Sequence, residues 1–140
     1  MRFVDSNVFL HAFLRPRREL TDEEQRINEE SKGIVGRIEA GERVAMSTVH
    51  LSEVINIVES GLGLRESLGL LAWAISRENI EVYATAIGDY EGALPVARDK
   101  GISANDALAY LLMRSHGLEE IYTFDGHFDQ LKDITRLPPG

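Results

Sequence analysis

The sequence predicts an α/β fold, a three-layer α/β/α sandwich with a central, mostly parallel sheet of four to five strands. Short segments rich in β-branched and aromatic residues alternate along the chain with longer segments of helical periodicity. Such alternation is typical of helices packed on both faces of a sheet. The 140 residues are enough for one domain with a sizeable core, and no internal repeat, linker or low-complexity segment is evident. We therefore expect a single domain over residues 1–140.

The amino-terminal segment is predicted to form a strand followed closely by an apolar helix. Arg2–Asp5 has the pattern of a short buried strand. The helix is expected at Val8–Leu14, with Ser6 or Asn7 as its cap, because both side chains accept hydrogen bonds from the free amide groups of a first turn. Pro16 ends this helix, since proline cannot continue it.

A long polar helix is predicted to begin at Thr21 and to end near Gly41. Thr21 and Glu24 form a capping-box pattern, in which each side chain accepts a hydrogen bond from the backbone of the other residue. The buried stripe of this helix is formed by Ile27, Ile34, Val35 and Ile38. Arg43–Ser47 follows as the second strand.

Two further helices are predicted at Thr48–Ser60 and Leu64–Arg77, and Gly61 ends the first of them. The segment Gly61–Ile75 contains more leucine than one buried stripe requires. Part of it is therefore expected to face another protein, either a second copy in a homodimer or a different chain. A helix buried entirely in the core is the alternative interpretation.

The remainder of the chain is predicted to continue the alternation of strands and helices. The expected elements are a third strand at Ile80–Ala84, a helix at about Asp89–Lys100, a helix from Ser103 to His116, a fourth strand at Glu120–Phe124, a helical turn with Phe128 and Leu131, and an edge strand at Ile134–Leu137. Pro95 lies inside one of these helices, so that helix either begins near Pro95 or is kinked there.

The composition excludes several kinds of protein. No cysteine is present, which rules out disulfides, thiolate metal sites and a cysteine nucleophile. The most continuous apolar stretch, Leu68–Ile75, is far shorter than the roughly twenty residues of a membrane-spanning helix. No signal peptide is evident, and we expect a cytoplasmic protein without membrane contact.

Charge gives a weaker indication about partners. The net charge of −8 argues against the capture of nucleic acid by a basic surface. Arg15, Arg17 and Arg18 stand together after the first helix. Either they contact a phosphate backbone or they form a solvated loop beside an acidic helix.

Four acidic residues, Asp5, Glu53, Asp106 and Asp125, lie at the end of a predicted strand or early in a predicted helix. Ligands of open parallel sheets bind beyond the carboxyl ends of the strands, so these side chains are expected to converge. Packed carboxylates repel one another unless a cation neutralises them, which predicts a divalent metal site. Singly, each has an ordinary explanation: a helix cap for Asp5, a solvated position for Glu53, a capping box for Asp106, and a hairpin or helical turn for Asp125.

Four stretches resemble motifs of the PIN-domain nucleases, in the order that the family shows: FVDSNVFL, MSTVHLSEVINIV, SANDALAYLL and YTFDGHFDQL. They span almost the whole chain, whose size and compact ending look most like the VapC-type toxins of toxin–antitoxin pairs. The resemblance implies a PIN-like fold, Mg²⁺ or Mn²⁺ held by Asp5, Glu53, Asp106 and Asp125, and cleavage of RNA by a metal-activated water. It also implies that Asn7 helps to fix the first aspartate or the scissile phosphate.

The last of these motifs supplies two more candidates. By resemblance, Thr123 is a hydrogen-bonding neighbour of the site and Asp129 an extra acid. His127 is not part of the acidic set of the family and is predicted to lie on a surface turn. The partners that the resemblance implies are RNA, a second copy of the chain and an antitoxin protein.

Two other classes of protein with clustered acidic residues fit this sequence less well. A receiver domain needs a central aspartate at the end of its third strand, where this chain has Tyr83, Ala84 and Thr85. A phosphatase of the haloacid-dehalogenase type needs an Asp-x-Asp pattern after the first strand, where this chain has Asp5 and then Asn7. The remaining alternative is a PIN-fold protein that binds or helps to process RNA with little or no nuclease activity of its own.

Overall fold

A computed structural model of the protein describes residues 1–139. Within that range strands and helices alternate as predicted. The strands are β1 (Arg2–Val4), β2 (Val44–Ser47), β3 (Ile80–Tyr83), β4 (Glu120–Tyr122) and β5 (Thr135–Leu137). The helices are α1 (Ser6–Phe13), α2 (Asp22–Glu39), α3 (Thr48–Leu62), α4 (Leu64–Ser76), α5 (Ile87–Lys100) and α6 (Ala104–Ser115), and a 3₁₀-helix follows β4 at Gly126–Gln130.

The strands form one sheet in the order β3-β2-β1-β4-β5, and every neighbouring pair is parallel. Phe3 of β1 pairs with Ala45 of β2 on one side and with Ile121 of β4 on the other. β1 is therefore the central strand. The five parallel strands confirm the predicted sheet, including its edge strand near the carboxyl terminus.

Two apolar layers cover the sheet, one on each face. Phe3 and Ile121 belong to the layer that includes α5 and α6, where Leu108 and Met113 are fully buried. Val4, the next residue of β1, belongs to the opposite layer, which includes α1, α2 and α3. Successive side chains of a strand point to opposite faces, so one short strand contributes to both layers. The helix–sheet–helix arrangement confirms the predicted three-layer sandwich.

The direction in which the chain crosses the sheet reverses at β1. After β1 the chain places β2 and β3 on one side, and it then returns to place β4 and β5 on the other side. In an open parallel sheet such a reversal opens a crevice beyond the carboxyl ends of the two strands concerned. Asp5 directly follows β1 and Thr123 directly follows β4, so both lie at this crevice.

The start of α1 differs from the prediction, whereas the start of α2 confirms it. α1 begins at Ser6, because the cap is Asp5 rather than Ser6 or Asn7, and the Asp5 carboxylate accepts the hydrogen bond of the Ser6 amide. Thr21 and Glu24 make both hydrogen bonds of the predicted capping box at α2. Asp5 therefore has a structural role at the very position where a metal ligand is predicted.

α5 runs through Pro95 instead of beginning there. Proline removes the backbone hydrogen bond to the carbonyl four residues earlier. Here that carbonyl belongs to Glu91, an exposed residue. Water can replace the missing donor at an exposed position, which explains why the helix continues across the proline.

α4 is not a core helix. Ser67 and Ala74 are its buried residues, whereas Leu64, Leu68 and Ile75 are exposed. The interpretation of this segment as a fully internal helix is therefore wrong, and an apolar face remains open on the surface. Within residues 1–139 no helix, α4 included, is both long and apolar enough to cross a membrane.

Candidate metal centre

A polar cavity of about 530 Å³ lies beyond the carboxyl ends of β1 and β4. All four predicted carboxylates line it, each delivered by a different part of the fold: the end of β1, α3, the first turn of α6, and the loop after β4. The lining residues are Asp5, Ser6, Asn7, Glu53, Ser103, Ala104, Asn105, Asp106, Asp125 and His127. The reversal of the chain at β1 is what brings these distant parts of the sequence together.

Hydrogen bonds hold both oxygens of the Asp5 carboxylate. Oδ1 accepts from the backbone amide of Ser6 at 2.8 Å, which caps α1. Oδ2 accepts from the hydroxyl of Thr123 at 2.8 Å. Asp5 is buried. The capping role and a place in the cavity are thus compatible, since one carboxylate serves both.

Thr123 connects Asp5 with Asn7 and with the loop after β4. Its Oγ1 accepts hydrogen bonds from Asn7 Nδ2 at 3.1 Å and from the Asp125 amide at 3.0 Å. Asn7 Oδ1 in turn accepts from the Phe124 amide at 3.3 Å. Thr123 is fully buried, so these bonds replace the water that its hydroxyl has lost. The network fixes the end of β1 against the end of β4.

Glu53 reaches the cavity from α3 and contacts two other helices. Its Oε1 accepts a hydrogen bond from the Ser6 hydroxyl, and its Oε2 accepts from Asn105 Nδ2 at 2.9 Å. Ser6 is the first residue of α1, and Asn105 lies in the first turn of α6. The structure therefore does not leave Glu53 as a solvated residue of a helix surface.

Asp106, Asp125 and His127 form a compact group, in which one potential ligand atom of each residue lies within 4.8 Å of the others. His127 Nδ1 is 3.2 Å from Asp125 Oδ1 and 4.0 Å from Asp106 Oδ2. Asp125 Oδ1 also accepts the backbone amide of His127 at 2.8 Å, which caps the 3₁₀-helix. The turn after Asp125 is therefore helical and not a hairpin.

Burial and crowding raise the pKa values of two of the carboxyl groups. Burial is the main cause that raises the pKa of Asp106 to about 7, and the charges of Asp5 and Asp125 add to it. Burial also raises the pKa of Asp5, against the opposing effects of His50 and of the hydrogen bond from Thr123. Carboxyl groups that ionise reluctantly in one cavity are stabilised as carboxylates by a nearby cation.

His50 lies behind the cavity lining, close enough to Asp5 and Glu53 for their charges to affect it. It is almost completely buried, with Nδ1 2.5 Å from Ser47 Oγ and with its ring edge-on to Phe3 at 5.2 Å between centroids. Burial lowers the pKa of His50, while the charges of Asp5 and Glu53 act in the opposite direction. A buried imidazole of this kind favours the neutral form, and its ring packs in the core below the site.

The donor set fits a hard divalent cation. The cavity offers carboxylate oxygens from four residues together with the side-chain oxygens of its serine and asparagine residues. Oxygen donors of this type suit Mg²⁺ and Mn²⁺, whereas the chain has no thiolate that would favour a softer ion. The raised pKa values of two of the acids describe a site whose charge calls for such an ion.

Asp129 lies outside this group. It does not line the cavity and instead accepts two hydrogen bonds from the guanidinium of Arg136, each at 2.9 Å. Arg136 belongs to the edge strand β5. The position of Asp129 therefore gives no support to its predicted role as an extra acid of the site.

The predicted arginine group divides in two. Arg18 donates two hydrogen bonds to Glu24, at 2.8 and 3.0 Å, and so belongs to the start of α2. Arg15 and Arg17 are exposed in the segment between α1 and α2. Arg18 is exposed as well, but its guanidinium is already paired with Glu24, whereas Arg15 and Arg17 are open to a phosphate contact.

Five of the lining residues are not predicted from the sequence as part of the site: Ser6, Ser103, Ala104, Asn105 and His127. Ser6 is expected only as a helix cap, Ser103 only as the start of a helix, and His127 on a surface turn. His127 does lie on a turn and is exposed, but its ring nitrogen faces Asp125. Their nearness in the sequence to predicted site residues could have indicated two of them. Asn105 adjoins Asp106, and His127 follows Asp125 by two positions, so each pair lies within one helical turn.

Comparisons with known proteins agree with this architecture. Similar solved structures include the toxin VapC20 of Mycobacterium tuberculosis, described as cleaving the sarcin–ricin loop, with a TM-score of 0.67, 21% identity, and coverage of 92% of this chain and 93% of that one. A toxin–antitoxin complex from Klebsiella pneumoniae gives a TM-score of 0.65, 15% identity and coverage of 96% of each chain. VapBC2 of Rickettsia felis, bound to a DNA fragment from its promoter, gives a TM-score of 0.63, 14% identity and coverage of 96% of each chain.

At such identities these structures establish similarity of fold alone. No curated protein matches the chain by sequence. A family model, that of the PIN domain, matches residues 2–134. This match covers almost the whole chain and includes all four carboxylates of the cavity, and we conclude that the chain belongs to the PIN domain family.

Proposed function

We propose that this protein is a metal-dependent endoribonuclease and the toxin of a VapBC-type toxin–antitoxin pair. The observation that carries the proposal is the convergence of Asp5, Glu53, Asp106 and Asp125 on one cavity of a PIN-domain fold. The similarity of fold to a toxin described as cleaving the sarcin–ricin loop supports RNA as the polymer. In this proposal the four carboxylates hold Mg²⁺ or Mn²⁺.

The chemistry divides between the ion and the side chains of the cavity. A bound Mg²⁺ or Mn²⁺ supplies a lowered pKa for a coordinated water and positive charge opposite the phosphodiester. Asp5 and Glu53 are oriented for binding by the hydroxyl groups of Thr123 and Ser6 and by the amide of Asn105. Their orientation is set before the ion arrives, which reduces the rearrangement that binding requires.

A carboxylate of the cavity also has to accept the proton of the attacking water. Asp106 and Asp125 are the candidates, because both line the cavity and lie close to each other there. General bases act within hydrogen-bond reach of the proton that they remove. We propose that one of these two carboxylates accepts that proton and that no covalent intermediate with the enzyme forms.

RNA approaches a protein with a net charge of −8. Arg15 and Arg17, exposed in the segment between α1 and α2, are the proposed contacts for its phosphates. Single-stranded or looped RNA suits the cavity best, because unpaired strands can bend and present their backbone at a recessed site. Arg18 is assigned no such contact, since Glu24 already binds it.

An exposed apolar face supports the proposed protein partner. A groove of about 430 Å³ lies between α1, α3 and α4, lined in part by Phe13, Leu62, Leu70 and Trp73. Phe13 and Leu62 are exposed there. Amphipathic helices bind to grooves of this kind through apolar side chains. We propose that an antitoxin segment occupies this face and that the toxin itself forms a homodimer.

The nuclease proposal is tested with end-labelled RNA, supplied as an unstructured strand and as a stem–loop, and with single-stranded DNA of the same sequences. The full chain is incubated with Mg²⁺ or Mn²⁺, with and without excess chelator. We expect internal cleavage of RNA that depends on the metal. Asp106→Asn should slow cleavage by roughly 10²–10⁴-fold, because a metal ligand contributes several kcal/mol to transition-state stabilisation.

Asp22→Asn is the matched control. Asp22 and Asp106 are both acids in the first turn of a helix, but Asp22 lies at the exposed start of α2. Its substitution should leave the rate unchanged. If the folded parent chain binds metal and RNA but cuts neither the unstructured strand nor the stem–loop, the nuclease proposal is overturned and the RNA-binding alternative is supported. Cleavage that resists the chelator would overturn the metal dependence.

The partner proposal is tested by co-expressing the chain with the product of the adjacent gene. Leu62→Asp should prevent their co-purification, since a charge in the groove opposes burial of that face. Leu94→Asp is the matched control, because Leu62 and Leu94 are 48% and 50% exposed, but Leu94 lies on α5 and does not line the groove. Loss of the partner with Leu94→Asp alone would move the proposed interface to α5.

A further inference from the structure

His127 brings an imidazole nitrogen into a cavity otherwise lined with oxygen donors. It sits in the 3₁₀-helix that follows β4, directly before Phe128, which is fully buried. Phe128 anchors the turn in the core, and the Asp125 carboxylate fixes the turn from the other side by accepting the His127 amide. The backbone thereby holds the exposed ring of His127 next to the acids.

The distances around this nitrogen match those between ligands of one ion. An octahedral ion with ligands at about 2.1 Å places neighbouring ligands roughly 3.0 Å apart and opposite ligands roughly 4.2 Å apart. Nδ1 of His127 is 3.2 Å from Asp125 Oδ1 and 4.0 Å from Asp106 Oδ2. Within residues 1–139, no other group of three or more acidic or imidazole side chains has its potential ligand atoms within 4.8 Å of one another.

We propose that His127 is a nitrogen ligand of the ion and that it makes the site select Mn²⁺ over Mg²⁺. Imidazole binds first-row transition ions well, whereas Mg²⁺ prefers oxygen ligands and keeps its water. A site of carboxylates alone accepts either ion, and one imidazole adds affinity mainly for Mn²⁺. This assignment presupposes the divalent-ion site of the proposed nuclease but not its action on RNA.

The test is a titration of the metal-free full chain with Mn²⁺, followed by electron paramagnetic resonance, with pulsed measurements that detect a directly bound ¹⁴N. Mg²⁺ competes in a parallel series. The parent chain should show ¹⁴N coupling and prefer Mn²⁺. His127→Ala should remove the coupling and weaken Mn²⁺ binding at least about tenfold, with little change in Mg²⁺ binding. Tenfold is the smallest loss expected, because loss of a residue that only hydrogen-bonds to a metal ligand already costs about that much.

Two further variants separate ligation from folding. His127→Asn replaces the imidazole by an amide, and it should keep Mg²⁺ binding while losing both the ¹⁴N coupling and the preference for Mn²⁺. His116→Ala is the matched control, since His116 is also exposed but lies just beyond α6, at the end away from Asp106. It should change neither measurement.

The outcomes distinguish this inference from the proposed nuclease activity. Mn²⁺ bound without ¹⁴N coupling, with the same affinity in parent and His127→Ala, would overturn the assignment of His127 while leaving a metal-dependent nuclease possible. Bound Mn²⁺ with ¹⁴N coupling in a chain that cuts no RNA would support His127 as a ligand and overturn the nuclease. Absence of any Mn²⁺ binding would overturn both.

Discussion

The cavity has two sides that accommodate their carboxylates differently: an amino-terminal side with Asp5 and Glu53, and a carboxyl-terminal side with Asp106 and Asp125. On the amino-terminal side, Asp5 and Glu53 accept hydrogen bonds from neutral donors, namely Ser6, Thr123 and Asn105. Those donors partly replace the water that burial removes. The side chains are therefore held in place before an ion binds.

On the carboxyl-terminal side, Asp106 and Asp125 lie close together around His127. Asp106 has a pKa raised to about 7, chiefly by burial and then by the charges of Asp5 and Asp125. Repulsion on this side is relieved by a proton or by a cation. Hydrogen bonds thus fix the positions of Asp5 and Glu53, whereas Asp106 and Asp125 provide the concentrated negative charge that attracts a cation.

Metal binding should give the largest change in stability. Saturating Mn²⁺ or Mg²⁺ binds the folded cavity and not the unfolded chain, so an ion at 100 times its dissociation constant should stabilise the protein by about 2.7 kcal/mol. Thermal unfolding at increasing ion concentrations measures this effect. Asp106→Asn should remove most of it, whereas Asp22→Asn should not. A melting temperature that ignores both ions would contradict the metal site.

Thr123→Val should break the ordered side of the cavity whether or not metal is present. Valine has nearly the shape of threonine but leaves Asp5 Oδ2 without its donor, and it leaves Asn7 Nδ2 and the Asp125 amide without an acceptor. Unsatisfied buried groups cost roughly 1–3 kcal/mol. Denaturant unfolding measures the loss. Thr135→Val, an exposed position on β5, is the control and should be close to neutral.

The charged side should respond to pH in the metal-free protein. The folded pKa of Asp106, about 7, lies above its ordinary value of 3.8, so the folded state holds the proton more tightly than the unfolded state does. Stability should therefore fall as the pH rises from about 4 to about 7 and should level off above that range. The expected loss is on the order of 1–2 kcal/mol, because water in the open cavity screens part of the effect.

Asp106→Asn isolates this contribution, because Asp5, Asp125, His127 and His50 remain in both proteins. The difference in unfolding free energy between the variant and the parent should grow in favour of the variant across the same pH range. Saturating metal should flatten the difference, since the ion keeps the carboxylate ionised. A difference that is constant from pH 4 to 8 would show that Asp106 ionises as it does in the unfolded chain.

Much of the fold was predictable from the sequence because its signals are local. The capping box of Thr21 and Glu24 depends on residues close together in the chain and appears as expected. Of the predicted apolar stripe of α2, Ile34, Val35 and Ile38 are buried, whereas Ile27 is only half-buried. The meeting of the four acids was predictable from topology, since the ends of parallel strands share one edge of the sheet.

The finer features depend on contacts between distant residues. The position of the Glu53 carboxylate depends on Ser6 and Asn105, which come from two other helices, and a helical wheel of α3 contains neither. Continuation of α5 through Pro95 depends on exposure, which a local proline rule does not contain. His127 was read correctly as part of a turn, but the direction of its ring follows from the burial of Phe128.

The smallest effect is expected from Asp129→Asn, which tests where the site ends. Sequence resemblance makes Asp129 an extra acid, yet its carboxylate binds Arg136 and lies outside the cavity lining. We expect the cleavage rate to change by less than about threefold, since Asp129 does not line the cavity and its carboxylate is bound by Arg136 instead. Rates and metal affinity are measured beside those of Asp106→Asn. A loss comparable to that of Asp106→Asn would extend the charged side of the cavity to include Asp129, and Arg136 would then have to release it when metal binds.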